Sequence, residues 1–231
     1  KNKIYNTYVL YIPKREKYIK NIIDKLNLSA TYIKGINKNS LNFNNLIKEN
    51  IITEKWFTTT KKPIKYIKSI NKGRIACHLG HIQILKEFLE SNNKYALIFE
   101  DDININNNFS QISFKINKII NNIPKDADIV YISYCFEICK KIIKINEMFS
   151  HAYRPLCRHF YIVSRKGAQI IINKTIPMYS SGDRMVGDLI AKKILNGYIV
   201  NPSYLMIEQK RDINTDLETT LDNTQDHRLC L

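Results

Sequence analysis

Short apolar runs and amphipathic stretches alternate along this chain. Thr7-Tyr8-Val9-Leu10-Tyr11-Ile12 is rich in β-branched and aromatic residues and stops at Pro13. Residues 14–28 then place Tyr18, Ile19, Ile22, Ile23 and Leu26 at helical spacing. A short apolar run bounded by a breaker suits a strand, and recurrence at i, i+3 and i+4 suits an amphipathic helix, so the chain opens with a predicted strand and helix. Tyr32-Ile33-Lys34-Gly35-Ile36 predicts a short second strand. Residues 37–71 are polar, rich in Asn and Lys, and punctuated by Trp56-Phe57 and Pro63, which predicts a variable excursion with some helix. From Gly73 the pattern tightens: Ile75, Leu79, Ile82, Leu85, Phe88 and Leu89 describe an amphipathic helix ending near Ser91-Asn92-Asn93.

The next run, Tyr95-Ala96-Leu97-Ile98-Phe99, ends abruptly in Glu100-Asp101-Asp102. It reads as a buried strand that delivers acids to its carboxyl end. Residues 128–134 and 160–163 predict two more strands, and residues 166–174 a helix after the second of them. Residues 183–196 predict a further helix with Gly197 as its stop, leading to Tyr198-Ile199-Val200 and Pro202. From Arg211 the chain is a polar tail, expected to lie over the surface or the site. Strands alternating with helices predict the α/β class, with a largely parallel central sheet flanked by helices and ligands at the carboxyl ends of the strands. With 231 residues, 44% of them hydrophobic, the chain can bury one substantial core, so residues 1–231 are expected to form a single domain.

Strand alternation points Glu100 and Asp102 to one face and Asp101 to the other, so two of the three carboxylates can address one ligand. Adjacent negative charges repel one another and desolvate poorly, and they need water, a basic partner or a cation. A hard, oxygen-ligating cation, Mn²⁺ or Mg²⁺, suits the pair. An isolated acidic triplet is equally well a solvated turn.

Composition adds little beyond this. A net charge of +15, from 36 Lys and Arg against 21 Asp and Glu, attracts nucleic acids, anionic surfaces or phosphorylated small molecules without choosing among them. No nucleic-acid-binding motif is present, and a non-catalytic basic nucleotide- or nucleic-acid-binding protein is the alternative of a different class. No apolar stretch reaches membrane-span length, and Lys1-Asn2-Lys3-Ile4-Tyr5 lacks the apolar core of a signal peptide, so a soluble, cytoplasmic protein is the first expectation. The five cysteines, Cys77, Cys135, Cys139, Cys157 and Cys230, are odd in number with no repeated CxxC, which argues against a disulfide framework and a zinc finger.

The order Gly73-Arg74-Ile75-Ala76-Cys77-His78-Leu79-Gly80-His81, then Tyr95 to Ile103 with its acidic tip, resembles glycosyltransferase family 25. That family holds lipopolysaccharide-type sugar transferases and collagen galactosyltransferases. The similarity continues through Tyr8-Val9-Leu10-Tyr11-Ile12-Pro13-Lys14-Arg15, residues 33–37 and Asp128-Ile129-Val130-Tyr131-Ile132. It runs on through His151-Ala152-Tyr153, Phe160 to Ala168, residues 177–183, and Pro202 with Gln209, Thr215 and Asp216. Tyr11 stands where the family often has Asn, and Gly80 where it often has Ser.

The resemblance implies a GT-A-type nucleotide-sugar transferase fold and a metal-dependent, inverting transfer of a hexose from a UDP-sugar to a glycan or a hydroxylated side chain. Galactose is the first choice, and UDP-glucose or UDP-GlcNAc the alternative donors. It implies that Asp102 binds Mn²⁺ (or Mg²⁺) directly, with Glu100 and Asp101 acting through metal, water or ribose. Such a transfer needs a base for the acceptor hydroxyl; Asp183, in the matching residues 177–183, is the first candidate and Asp188 the second. A helix-capping role for Asp183 is an equal alternative. His81 matches the family histidine and is a donor contact or a satisfied buried histidine, whereas His78 reads as a local substitution. Arg15 and Arg74 are candidates for the diphosphate, Arg74 before a helix whose amino terminus itself attracts phosphate. Gln209 and His227 are candidates to close the site from the tail, His227 as a further metal ligand.

Overall fold

In a computed structural model the described residues are 5–54, 64–105 and 108–209. The elements are β1 (Tyr5–Tyr11), α1 (Glu16–Lys25), β2 (Ala30–Lys34), α2 (Phe43–Lys48), α3 (Ile64–Glu90), β3 (Tyr95–Glu100), β4 (Ile103–Asn104) and α4 (Phe109–Asn121). They continue with β5 (Ile129–Ser133), β6 (Ile143–Lys144), β7 (Phe149–His151), β8 (Phe160–Ser164), α5 (Arg165–Thr175), α6 (Gly182–Ala191), β9 (Gly197–Val200) and β10 (Glu208–Gln209). Eight strands form one sheet in the order β2-β1-β3-β8-β5-β9-β7-β6, and β10 pairs with β4.

The expected α/β architecture is present, with β1 parallel to β2 and β3, and β5 parallel to β9. The exception at the centre is β8, antiparallel to both β3 and β5. After β5 the chain builds the β6–β7 hairpin, whose β7 pairs antiparallel with β9. It then re-enters between β3 and β5 from the end at which it left, so β8 has to run backwards. This reversal sets the carboxyl end of β3 beside the amino end of β8, where the Glu100 N–H donates to the His159 carbonyl (2.8 Å).

Alternation along the strands divides the core into two layers. Val9, Leu97, Phe99, Val130 and Ile132 face α1 and α4 through Ile19, Ile22, Ile23, Ile116, Ile119 and Ile120. Tyr8, Leu10, Ala96, Ile98, Ile129 and Tyr131 face α3, α5 and α6 through Leu85, Phe88, Ile171, Val186 and Ile190. Each such side chain contributes about 1.5–3 kcal/mol on burial, which fixes the strand register against slippage.

Three expectations are corrected here. The helix expected from Gly73 begins at Ile64, so part of the expected excursion belongs to α3 and Arg74 lies inside that helix rather than before its amino terminus. Gly197 does not stop a helix: α6 ends at Ala191, Lys193 takes the left-handed turn (φ 57°), and Gly197 opens β9. Glycine is required at 197 because a Cβ there would stand 2.7 Å from Ile190 Cδ1. The cysteine reading is also revised, since Cys135 and Cys157 form a disulfide with Cα atoms 5.5 Å apart. It closes the excursion between β5 and β8, and its separation of 22 residues carries no local motif.

Gly167 is the tightest glycine, in the first turn of α5, where a Cβ would fall 2.1 Å from the Asp128 carbonyl oxygen and 2.8 Å from its carbon. That carbonyl already accepts from Ser164 N (3.0 Å) and cannot yield. Gly167→Ala is expected to destabilise the fold by about 1–3 kcal/mol or more, read as a lower denaturation midpoint in urea. Among the described residues, no helix is long and apolar enough to cross a membrane.

Candidate active site

The site is built at the junction of β3 and β8. Glu100 is the last residue of β3, and Asp101 and Asp102 turn the chain into β4. Glu100 and Asp101 divide as alternation predicts, but the strand has ended and Asp102 does not follow Glu100: it reaches Arg15, as Asp101 does. Asp101 turns toward β1, where its Oδ2 accepts from Ile12 N (2.6 Å) and its Oδ1 from Arg15 Nη1 (3.0 Å). Burial raises its pKa, and the bonds from Ile12 and Arg15 pull it back.

Glu100 turns the other way, to His81 Nε2 on α3 (2.7 Å). Asp102 Oδ2 accepts from Gln209 Nε2 (2.5 Å) and lies 3.8 Å from Arg15 Nη1. Burial drives both carboxyls up to about 8, helped by Asp183 at Glu100 and by Glu100 at Asp102. Asp102 Oδ1 is buried with no hydrogen-bond partner among the described residues. Two acids forced up by burial and by neighbouring carboxylates, one with an orphaned oxygen, form an environment that a cation would relieve.

Gln209 comes to the site because β10 pairs with β4 in the register Gln209 to Ile103. Ile207, just before β10, is held by the Ser133 hydroxyl, which donates to its carbonyl, and His159 Nε2 lies 2.8 Å from Ser133 Oγ. Burial lowers the His159 pKa to about 4, so the imidazole is neutral in that anchor.

The histidines of α3 separate in role. His81 is fully buried, touches Glu100 through Nε2 and Tyr161 OH through Nδ1 (3.1 Å), and is held well below the usual imidazole range, first by burial and then by Arg158. His78 is part of the scaffold: Arg158 Nη2 donates to its Nδ1 (3.1 Å), so its Nε2–H donates to Thr175 Oγ1 (2.8 Å), which in turn donates to the Ile171 carbonyl. Thr175 thereby ties α5 to the base of the site.

Arg158 is the functional-site residue that the sequence reading missed. It is 1% exposed, its Nε donates to Asp183 Oδ1 (2.9 Å), and its Nη1 has no hydrogen-bond partner among the described residues. Burial works against its charge, but Asp183, Tyr161 and Tyr131 together outweigh burial and push the Arg158 pKa up. The signal was an Arg directly ahead of the apolar β8, but 36 basic residues in the chain mask one more. Gly182 permits the pairing, since a Cβ there would stand 2.3 Å from His78 Nδ1 and 2.5 Å from Arg158 Nη2.

Of the two candidate bases, Asp183 lies in the first turn of α6 and acts electrostatically on Glu100 and Cys77. Asp188 instead pairs with Arg154, away from the acidic turn. Arg15 therefore reaches the carboxylates and Arg74 stands on α3 two helical turns before His81; His227 lies outside the described residues.

Residues 10–193 match glycosyltransferase family 25, described as LPS biosynthesis protein. That span holds every site residue named above except Ile207, Gln209 and His227. No curated protein matches the chain.

Proposed function

Because this chain belongs to glycosyltransferase family 25, and is a glycosyltransferase acting on a sugar donor and an acceptor, we propose that its acidic turn is the donor site of a GT-A-type enzyme that moves a hexose, galactose first, from a UDP-sugar. The observation that carries the reading is the orphaned Asp102 Oδ1, buried beside Glu100 at the carboxyl end of β3. Asp102 and Glu100 fit a hard divalent cation, Mn²⁺ or Mg²⁺, by donor type and by charge. When bound, the ion neutralises charge on the departing diphosphate. A glycan or a hydroxylated side chain is the acceptor, and UDP-glucose and UDP-GlcNAc are the alternative donors, since contacts outside this turn choose the sugar.

The protein's own residues supply the rest. Arg15, anchored on Asp101, presents positive charge beside Asp102, where the diphosphate would lie. Gln209 holds the orientation of the Asp102 carboxyl. Asp183 takes the proton of the acceptor hydroxyl as its oxygen attacks the anomeric carbon and the bond to the diphosphate breaks on the opposite face, with inversion. Arg158 orients Asp183 through Nε and keeps one carboxylate oxygen turned toward the scaffold. Asp188 serves the Arg154 contact instead.

The test is thermal stabilisation by UDP, UDP-Gal, UDP-Glc, UDP-GlcNAc and GDP-sugars with and without Mn²⁺. Metal-dependent stabilisation by the uridine nucleotides supports the reading, and failure of every one of them sinks it.

The raised carboxyls give a pH prediction with a definite sign. In the metal-free fold Glu100 and Asp102 hold protons up to about pH 8, whereas unfolded they release them near pH 4. The folded state therefore binds more protons across this window, and metal-free stability falls as pH rises through it. A cation has to displace those protons, so Mn²⁺ affinity should rise over the same window with proton release. Calorimetry in buffers of different ionisation enthalpy reads the released protons; binding that is pH-independent and releases none contradicts the assignment.

A further inference from the structure

On the α3 side of Glu100, Cys77 and His81, which the transfer chemistry does not use, converge on that shared carboxylate. Cys77 and His81 are four residues apart on one face of α3, and both look onto the end of β3. One ligand atom each from Cys77, His81 and Glu100 lies within 4.8 Å of the other two. Glu100 Oε1 is 2.7 Å from His81 Nε2 and 3.8 Å from Cys77 Sγ. We propose that Cys77, His81 and Glu100 form a site for a thiophilic divalent cation of the Zn²⁺ class, with its fourth position open.

The donor set carries the choice of ion. A thiolate, an imidazole nitrogen and a carboxylate oxygen are borderline-soft donors that suit Zn²⁺, whereas Asp102 on the other side of Glu100 offers oxygen alone and suits Mn²⁺ or Mg²⁺. A thiolate and a carboxylate together neutralise a divalent charge. The Tyr161 hydroxyl lies 3.1 Å from His81 Nδ1, the outer hydrogen bond that fixes the tautomer and ring angle of a ligating imidazole. Tyr161 is fully buried on β8 and His81 on α3, so the imidazole is held in place before any ion arrives. Cys77 is exposed, which gives the ion its way in. The inference stands on these side chains and not on the nucleotide reading.

The probe is Co²⁺, titrated into the full chain after chelator treatment. Thiolate ligation gives a near-ultraviolet sulfur-to-cobalt charge-transfer band that saturates and that Zn²⁺ abolishes by displacement. Cys77→Ser, at an exposed position that leaves the circular dichroism spectrum unchanged, should lose the band while Mn²⁺-dependent stabilisation by UDP persists. Tyr161→Phe keeps the ring and should weaken Co²⁺ binding by about 10- to 100-fold. Asp102→Asn should keep the band and lose the Mn²⁺-dependent effect, which separates failure of this site from failure of the donor site. Absence of the band, or a band that survives Cys77→Ser, overturns the proposal.

Discussion

Asp102→Asn is expected to reduce sugar transfer by about 10²- to 10³-fold, the loss found when one preorganised electrostatic group is removed from a charged transition state. The amide keeps the volume and the contact with Gln209 while it loses the charge that a cation needs. Metal-dependent stabilisation by UDP should vanish with it. Stability should move the other way. Burial and the repulsion from Glu100 raise the Asp102 pKa, so removing the Asp102 charge should raise the melting temperature of the metal-free protein at alkaline pH. Asp101→Asn is the contrasting variant: Asp101 is held by Ile12 N and Arg15, and its loss should loosen the β1 end without abolishing the metal effect. A scan of transfer rate and melting temperature with and without Mn²⁺ reads all of this. If Asp102→Asn retains metal-dependent UDP binding, the cation is held elsewhere.

Local pattern carried the acidic turn because its signal is local. An apolar run that stops in three carboxylates can be read off consecutive residues, and period two gave the division of Asp101 from Glu100; it failed for Asp102, which lies past the end of β3 and shares Arg15 with Asp101. The same holds for β1, β5 and β8, each a short β-rich run. Strand direction is not local: β8 reads like any other buried strand, and its reversal comes from the β6–β7 excursion, which no periodicity encodes. The Cys135–Cys157 disulfide closes that excursion and is likewise a product of topology. Gly197 misled because glycine signals both a helix stop and a close approach, and contact with Ile190 decides for the second. His78 shows the limit in the site itself. Its neighbours Arg158 and Thr175 come from β8's entry and from α5, so its scaffold role appears only once those elements have packed.

Asp183→Asn is expected to cost about 3 kcal/mol of stability, and Arg158→Met distinctly less, though both break the same ion pair. The asymmetry follows from where each charge is left. Arg158 is 1% exposed and its Nη1 has no hydrogen-bond partner among the described residues, so removing the Asp183 charge leaves a guanidinium in the interior facing neutral acceptors, the amide oxygen and His78 Nδ1, in place of its carboxylate. The Asp183 side chain is 35% exposed, so when Arg158 is replaced by an apolar side chain of similar length, water can solvate the carboxylate that remains. The double variant should therefore lie close to Arg158→Met, with a large coupling energy in the double-mutant cycle. Transfer should fall in all three variants, because Asp183 is then either uncharged or no longer oriented, while Mn²⁺-dependent UDP binding, seated on Asp102, survives. Urea denaturation gives the stability order and thermal shift the nucleotide binding. Equal loss of UDP binding in Asp183→Asn and Asp102→Asn would place Asp183 with the leaving group and remove it as the base.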